Sequence, residues 1–549
     1  MSVKGENAEL KSTEGTAPEP IFDRLTNALF AWCLYVTLFG GFGIHSGILR
    51  AFTASAIALT IVILVRIRCA LPMLPRFSLS IVELFAKRPL VLGVALFLPL
   101  ATSMILRPLF MQVMMEDAGA VNHAIFQYFA PPPLHCDACF QGSFLGDHQA
   151  YTLVFGWLWV QVFHSPYAIP FFSVLVAGLT LGSVAWAFRK SISPERVSFV
   201  VLAIFAIRGF RAGYYFDFRE DSLGAAFFAF ALIAGRAKRW GWSTLFLALG
   251  GLSKETGAIL APTLVPWYFF QAKDMPWKRR IRMVTLVSVL AMAITVGILF
   301  FAIPAWTAGN GESNMLVGRL SYLGSTPAEI LKGFLANPFR VLNPPGAGPS
   351  NHFRYFFHLI VPFLPFMLFA WDWAYFPGLV LAFGNLISLS PAQRSMNFHY
   401  DLLILPFFAF GLAASIAKGR NIFSGPRLAL WILPFLIVSG MWPAAKLEDL
   451  WKYRGLAKER VFVREAAKWI PPAATTLVDI YIYPHLVDHR ELRLLPGGDR
   501  GRRPIEDATY ALVHENVVES SEEARRFFSG FDRRECSPSR EICFWERRK

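Results

Sequence analysis

Apolar stretches of roughly 15–22 residues recur along most of this chain, each able to cross a hydrocarbon core, the shorter ones with their flanks snorkelling to the interface. They fall at 25–45, 50–67, 89–107, 168–188, 196–212, 221–236, 241–254, 257–272, 283–304, 353–370, 374–389, 401–417 and 427–443, with Lys254 and Glu255 dividing the pair near 241–272. Lipid offers no partners to backbone N–H and C=O groups, so a spanning run of this kind must be helical. The pattern predicts an all-α polytopic transmembrane bundle of about thirteen spans. Only 17% of residues are charged, against about 25% in a soluble domain, so the chain would expose large apolar areas to water.

The basic residues test the count. The net charge of +15 raises the possibility of a nucleic-acid partner, yet Lys and Arg concentrate in short connections at 66–88, 189–196, 236–240, 273–282 and 418–427. Bilayer topology accounts for these and leaves no call for nucleic acid. They share one side only when the spans are counted as above; one helix more or fewer scatters them over both faces. The bias toward positive loops inside then predicts a multi-pass inner-membrane protein with a cytoplasmic N-terminus and an external, periplasmic C-terminal part. Residues 1–24 read as a disordered cytoplasmic tail, polar and without a signal-peptide apolar core. The transmembrane part covers 25–445, with large external loops at 107–167 and 305–352. Segment 149–165 is apolar enough to insert, but a span there would invert the later basic loops. It reads as an interfacial helix on the outer surface.

After Pro443 the composition turns charged, with strand-like runs at 475–482, 491–496 and 509–516 and helical patterns around 455–470 and 519–530. Residues 446–549 are expected to form a small external α/β domain. Cys536 and Cys543 near its end would sit in an oxidising compartment, where they can pair. Cys136 and Cys139 form a CxxC in the first large loop, suited to a short-range disulfide or half of a metal site; there is no second CxxC, which disfavours zinc.

Four polar clusters lie on the expected outer face. Glu116-Asp117-Ala118-Gly119, with Asn122 and His123, follows the third run; paired acids there suit a divalent cation or a general base, or belong to an ordinary solvated loop. Tyr214 to Asp221 places Asp217, Arg219, Glu220 and Asp221 among aromatics on a turn, either a polar site under an apolar rim or a hairpin tip whose charges stay wet. Ser253-Lys254-Glu255-Thr256 interrupts an apolar stretch. Ionisable groups at membrane depth are expensive enough to imply function, through mutual neutralisation or through binding a phosphate and a cation, unless this is a short external loop. Gln393 to Asp401 carries Arg394, shaped for bidentate phosphate recognition, and His399 and Tyr400, able to hydrogen-bond a sugar; the bland alternative is a capped helix entry. Their common side favours an outward-facing active site.

The order of these motifs resembles a known family. An acidic D-x-G loop, an HxxP-like loop near Asp147-His148-Gln149, turns like F-H-P-E and K-E-D-x-G, a Q-R-S-x-x-x-H-Y loop, and Ile470-Pro471-Pro472 with Tyr483-Pro484-His485-Leu486 together resemble domain-of-unknown-function family 2079, grouped with the GT-C superfamily of membrane glycosyltransferases. The likeness covers roughly residues 90–515. The family's His-Pro-Glu stands here as Arg219-Glu220-Asp221 and its Lys-Glu-Asp as Lys254-Glu255-Thr256, so one acid is shortened and another lost. The resemblance implies a GT-C-like fold, a polyprenyl-phosphate-linked sugar donor, and a catalytic Asp in the first large external loop, where Asp117 fits. Asp117 would be the general base toward an acceptor hydroxyl, or with Glu116 would hold a divalent cation, Mg2+ or Mn2+, on the donor phosphate. Asp217, Arg219, Asp221, Lys254, Glu255, Arg394, His399 and Tyr400 would bind substrate. The leading expectation is sugar transfer to a lipid, glycan or protein acceptor. The alternatives are a transporter or lipid-handling protein, and a non-catalytic relative whose external domain binds a partner. A transporter should carry midplane polar residues and inverted repeats, and the sequence shows no repeat.

Overall fold

The structure, a computed structural model, describes residues 116–419 and 457–548 apart from short segments, chiefly 216–217, 308–317, 343–348, 395–398 and 495–506, together with a few positions elsewhere. The expected tail and the runs at 25–45, 50–67, 89–107 and 427–443 lie almost wholly outside the described residues.

The described part is mostly helical. In chain order it contains α1 (Glu116–Phe126), α2 (Val154–Phe163), α3 (Ala168–Phe188), α4 (Pro194–Ala206), α5 (Arg208–Tyr215), α6 (Glu220–Arg236), α7 (Trp240–Gly251), α8 (Glu255–Leu260), α9 (Val265–Gln271) and α10 (Trp277–Val296). These are followed by α11 (Pro327–Ala336), α12 (Pro349–Leu359), α13 (Leu364–Phe369), α14 (Tyr375–Ile387), α15 (Leu405–Lys418) and α16 (Ala457–Trp469). The segment expected at the interface is a short helical turn, Tyr151–Leu153, leading into α2.

Several apolar runs are more broken than their hydropathy implies. Run 257–272 is divided into α8, a tight turn over Ala261–Leu264, and α9, with Pro262 and Pro266 entering at the start of each new piece. Run 353–370 breaks in the same way at Pro362 and Pro365. Proline lacks the N–H that a continuing helix needs and is tolerated only in a first turn, so each one restarts the helix. Run 196–212 breaks at Ile207, whose backbone is extended. Among the described residues two helices, Ala168–Phe188 and Trp277–Trp306, are long and apolar enough to cross a membrane. The second continues α10 through a π-helical turn at Gly297–Ala302 and exposes Leu286, Val289, Met292, Phe300 and Phe301, an exterior that water solvates poorly.

Helix α6 sits at the centre, packed against α3, α7 and α15. Its Gly224 makes this possible, because a Cβ there would lie 2.3 Å from Ser253 Oγ and 2.7 Å from Leu403 Cδ2. The missing side chain lets the α7–α8 junction and the approach to α15 close onto one turn of α6.

The C-terminal part is a mixed sheet ordered β2-β1-β3-β5-β4, with β1 (Thr476–Val478) parallel to β2 (Leu492–Leu494) and β3 (Tyr510–His514). Strands β4 (Phe531–Cys536) and β5 (Ile542–Arg547) add an antiparallel hairpin. The first three strands lie within the expected runs; the hairpin was not anticipated. Its β4 reads Phe-Asp-Arg-Arg-Glu-Cys, exposed over much of its length, so it lacks the apolar alternation that marks a strand. Cys536 faces Cys543 across the hairpin and the two are joined by a disulfide; Cys136 and Cys139 form a second. Alternate residues of β3 face opposite sides. Ala511 and Val513 pack with Phe528 and Phe531, while Leu512 joins a second core that contains Phe462, Val463 and Tyr483 together with Val121, Ile125, Phe144 and Leu153. The C-terminal sheet, α1 and the 134–153 loop therefore share one core.

Candidate functional site

The site begins where α7 stops. Lys254 precedes α8 with an extended backbone, φ −168° and ψ 159°, so its side chain leaves the helix line and enters the first turn of α6. That turn opens with Glu220 and Asp221, acids where a helix N-terminus favours negative charge. Lys254 Nζ lies 2.6 Å from Glu220 Oε1 and 2.8 Å from Asp221 Oδ2, with side-chain exposures of 4% for Lys254, 0% for Glu220 and 5% for Asp221. Arg219, also buried, is close enough to Glu220 to act on it electrostatically. Arg219, Glu220 and Asp221, the described charges of the turn expected as either a wet hairpin tip or a polar site, are thus dry.

Glu255, next in sequence, turns the other way. Its Oε1 is 3.1 Å from His148 Nδ1, and its Oε2 accepts the backbone N–H of Gln149 at 3.4 Å. A carboxylate only accepts, so His148 presents Nδ1–H to it. Gln149 is itself fixed, donating to the Leu145 carbonyl at 2.6 Å and accepting from Tyr151 at 2.8 Å. Tyr151 N–H donates to the Leu252 carbonyl at 3.2 Å. The 145–151 segment is stitched to the α7–α8 junction through His148, Gln149 and Tyr151.

A third group lies in the core of the helical bundle, beside Leu402 and Leu403. Asp401 is buried, and its Oδ1 accepts from Tyr355 at 2.6 Å and from Asn385 Nδ2 at 3.3 Å. Its Oδ2 faces Gly209 of α5, where a Cβ would come within 2.6 Å. Asn385 also donates to the Tyr400 carbonyl at 3.2 Å, which ties Asp401 to a basic patch. There the Arg319 guanidinium stands 5.3 Å from the Tyr400 ring centre, and buried Arg394 donates to the Leu389 carbonyl at 3.4 Å. Tyr322 sits beside it; burial pushes its phenol above the usual range, while the nearby Arg394 and Arg340 pull it back.

Of the residues singled out from sequence, Arg219, Asp221, Lys254 and Glu255 are brought together at the α6–α8 junction, and Arg394 and Tyr400 stand in the basic patch. Glu116 and Asp117 occupy the first turn of α1 rather than a loop, and their side chains lie outside the described residues, as does all of Asp217. His399 opens the short turn His399–Asp401, its side chain likewise outside. His148 entered the sequence reading only as part of a motif, and Arg319, Tyr322, Tyr355 and Asn385 did not enter it. Tyr355 and Asn385 are polar residues inside apolar runs, the signal that could have found them. Among the described residues no group of three or more His, Cys, Asp or Glu is arranged to hold a metal ion. The described acids of the junction pair with Lys254 and His148, whereas Glu116 and Asp117, the acids expected to hold a cation, have side chains outside the described residues.

A family model described as "Predicted membrane protein (DUF2079)" matches residues 125–500, a stretch that includes His148, Glu220, Asp221, Lys254, Glu255, Arg394 and Asp401 and begins after Asp117. No curated protein matches the chain. Among solved structures it is similar to ArnT from Cupriavidus metallidurans bound to undecaprenyl phosphate, with 13% identity and a TM-score of 0.48 over 82% of this chain and 97% of that one. The apo state of the same protein gives 14% identity and a TM-score of 0.45 over the same shares.

Proposed function

This chain belongs to the DUF2079 family of predicted membrane proteins, and on that footing we propose that it is a GT-C-like glycosyltransferase, moving a sugar from a polyprenyl-phosphate carrier to a lipid, glycan or protein acceptor at the outer membrane face. The observation that carries this reading is the convergence of three sequence-distant stretches on one dry junction, where Lys254 bridges Glu220 and Asp221 and Glu255 holds His148. Removing a charge from water costs several kcal/mol per ion even after relaxation, and an apolar contact would join the helices as firmly. Retaining the charges points to chemistry at this junction. The order of motifs supplies the donor class, and Arg394, with Arg319 and Arg340 nearby, suits the phosphate of such a donor.

In the proposed step the acceptor oxygen attacks the anomeric carbon, its proton passes to Asp117, and the bond from that carbon to the phosphate oxygen breaks with inversion. Polyprenyl phosphate leaves with its charge offset by the arginines. Asp117 is assigned as base because α1 packs against the Phe144–Gly146 turn that leads into His148, which brings its helix to this junction. No step is routed through a metal.

The test is transfer of radiolabelled sugar from polyprenyl phosphate by purified protein in lipid. A general base contributes about 10²–10⁴ in rate, so Asp117→Asn should lower turnover by that order. Equal transfer by Asp117→Asn removes Asp117 from the mechanism; no transfer by wild type from any lipid-phosphate sugar overturns the enzyme reading. A transporter or lipid-handling reading would then draw on the buried Asp401–Tyr355–Asn385 group inside the bundle.

A further inference from the structure

Tyr483 belongs to the C-terminal domain, but its side chain ends on α1. The phenol oxygen lies 2.7 Å from His123 Nδ1, across 360 positions of sequence, and both residues are fully buried. Its ring packs closely against Gly119, where a Cβ would come within 2.3 Å of Tyr483 Cδ1. Gly119 follows Asp117 by two positions and His123 comes one turn later, so the phenol grips the helix just beyond the proposed base. Cys136 Sγ, bonded to Cys139, is 3.9 Å from the same hydroxyl.

The other end of Tyr483 is held as firmly. Its N–H donates to the Asp479 carbonyl at 3.0 Å, and the N–H of Ile482 donates to the Asp479 side chain at 3.2 Å. Asp479 follows β1 directly, and its Oδ2 accepts the backbone N–H of His514, the last residue of β3, at 2.7 Å while lying 2.7 Å from His514 Nδ1. A bonded path thus runs from the C-terminal ends of two parallel strands, through Asp479, Ile482 and Tyr483, to one face of α1.

We infer that Tyr483 is a positioning residue: through its contact with His123 and its packing on Gly119, the C-terminal domain holds α1 in the orientation in which Asp117 works. This rests on the glycosyltransferase reading above. The sheet would then serve as the fixed frame of the catalytic helix rather than as a separate binding module. Removing the hydroxyl leaves the ring in place against Gly119, so the effect should fall on orientation rather than on folding.

The experiment compares wild type, Tyr483→Phe, His123→Leu and the double variant as full-length protein in lipid. Sugar transfer and amide hydrogen exchange over residues 116–126 are measured together. One hydrogen bond between uncharged side chains corresponds to roughly two- to ten-fold, so kcat should fall by that factor with KM for the lipid donor held. Exchange in α1 should quicken while β1 and β3 stay protected, and the double variant should be no slower than the worse single one. His123→Leu approaches the contact from the α1 side, so misfolding of the C-terminal domain in one variant does not decide the matter. Unchanged kcat in both single variants of an active enzyme, or unchanged exchange in α1, overturns the positioning role alone. A wild type that transfers no sugar overturns the function and the role with it, whatever the exchange shows.

Discussion

Two regions of this molecule use the same side chains to opposite ends. At the α6–α8 junction Lys254 meets Glu220 and Asp221 with none of the three side chains more than 5% exposed. On the C-terminal hairpin Arg534 meets Glu546 at 3.0 Å with exposures of 53% and 32%, and Arg548 meets Asp532 at 2.7 Å with 64% and 44%. Distance hardly distinguishes them; water does. The hairpin pairs exchange one wet state for another and can be lost without strain. The junction has surrendered the hydration of three ions, and its two carboxylates depend on one ammonium and its neighbours. Stability alone would favour apolar side chains there, so the junction is where charge was kept for another reason.

The sharpest way to break this contrast is Lys254→Met. It strands two adjacent carboxylates in a dry site, and loss of one partner of a buried ion pair costs about 3–5 kcal/mol. The expected result is a large drop in the thermal unfolding midpoint of the purified protein, or failure to accumulate. The triple variant Glu220→Gln, Asp221→Asn, Lys254→Met removes the charges together and should recover most of that stability while transferring no sugar. Lys254→Met that melts with wild type would mean the carboxylates reach water, and the contrast would collapse.

How far these regions could be read from sequence follows the same physics. Lys254 and Glu255 stood out because charge inside an apolar run has few innocent explanations. Their partners did not follow, since nothing local ties Lys254 to Glu220 or Glu255 to His148; that pairing exists only once Gly224 lets the junction close on α6. Tyr355 and Asn385 were absorbed into apolar runs whose average hides one polar residue. The helix breaks at Pro262 and Pro362 were smoothed over for the same reason, because hydropathy sums composition and does not ask which residue can donate a hydrogen bond. On the hairpin the failure ran the other way: β4 is so charged that no periodicity marked it, and its strand state comes from pairing with β5.

Between the two extremes stands His514 with Asp479, a pair that is partly buried and can be titrated. Burial pulls the imidazole below its ordinary value of 6.5, but the hydrogen bond and charge of Asp479, with Glu541 and Glu459, more than reverse this, and the net shift is upward. A His whose folded value is raised contributes its full stabilisation below the unfolded value and loses it as pH rises through the folded one. The C-terminal domain should therefore weaken above about pH 6.5, and His514→Gln should flatten that part of the profile. Unfolding followed over pH 5 to 9 by hydrogen exchange in β1 and β3 reads this directly; identical profiles for the two proteins would show that the pair carries no linkage.

The smallest effect is expected at the surface. Arg534→Ala deletes one charge, as Lys254→Met does, and leaves Glu546 without its partner in the same formal sense. Glu546 keeps access to water, however, and Arg534 sits where the β4–β5 register shifts, so no ladder pairing depends on its side chain. Exposed pairs of this kind contribute about 0.2–1 kcal/mol and are screened by salt. Arg534→Ala should therefore change the unfolding midpoint little at low ionic strength and not measurably at high. Lys254→Met should keep most of its effect in both, because salt does not reach a buried pair. Measuring the two variants across a salt series sets burial against charge count with everything else equal. If they fall by similar amounts and respond alike to salt, the junction is an ordinary surface ion pair, and its charges are not held for chemistry.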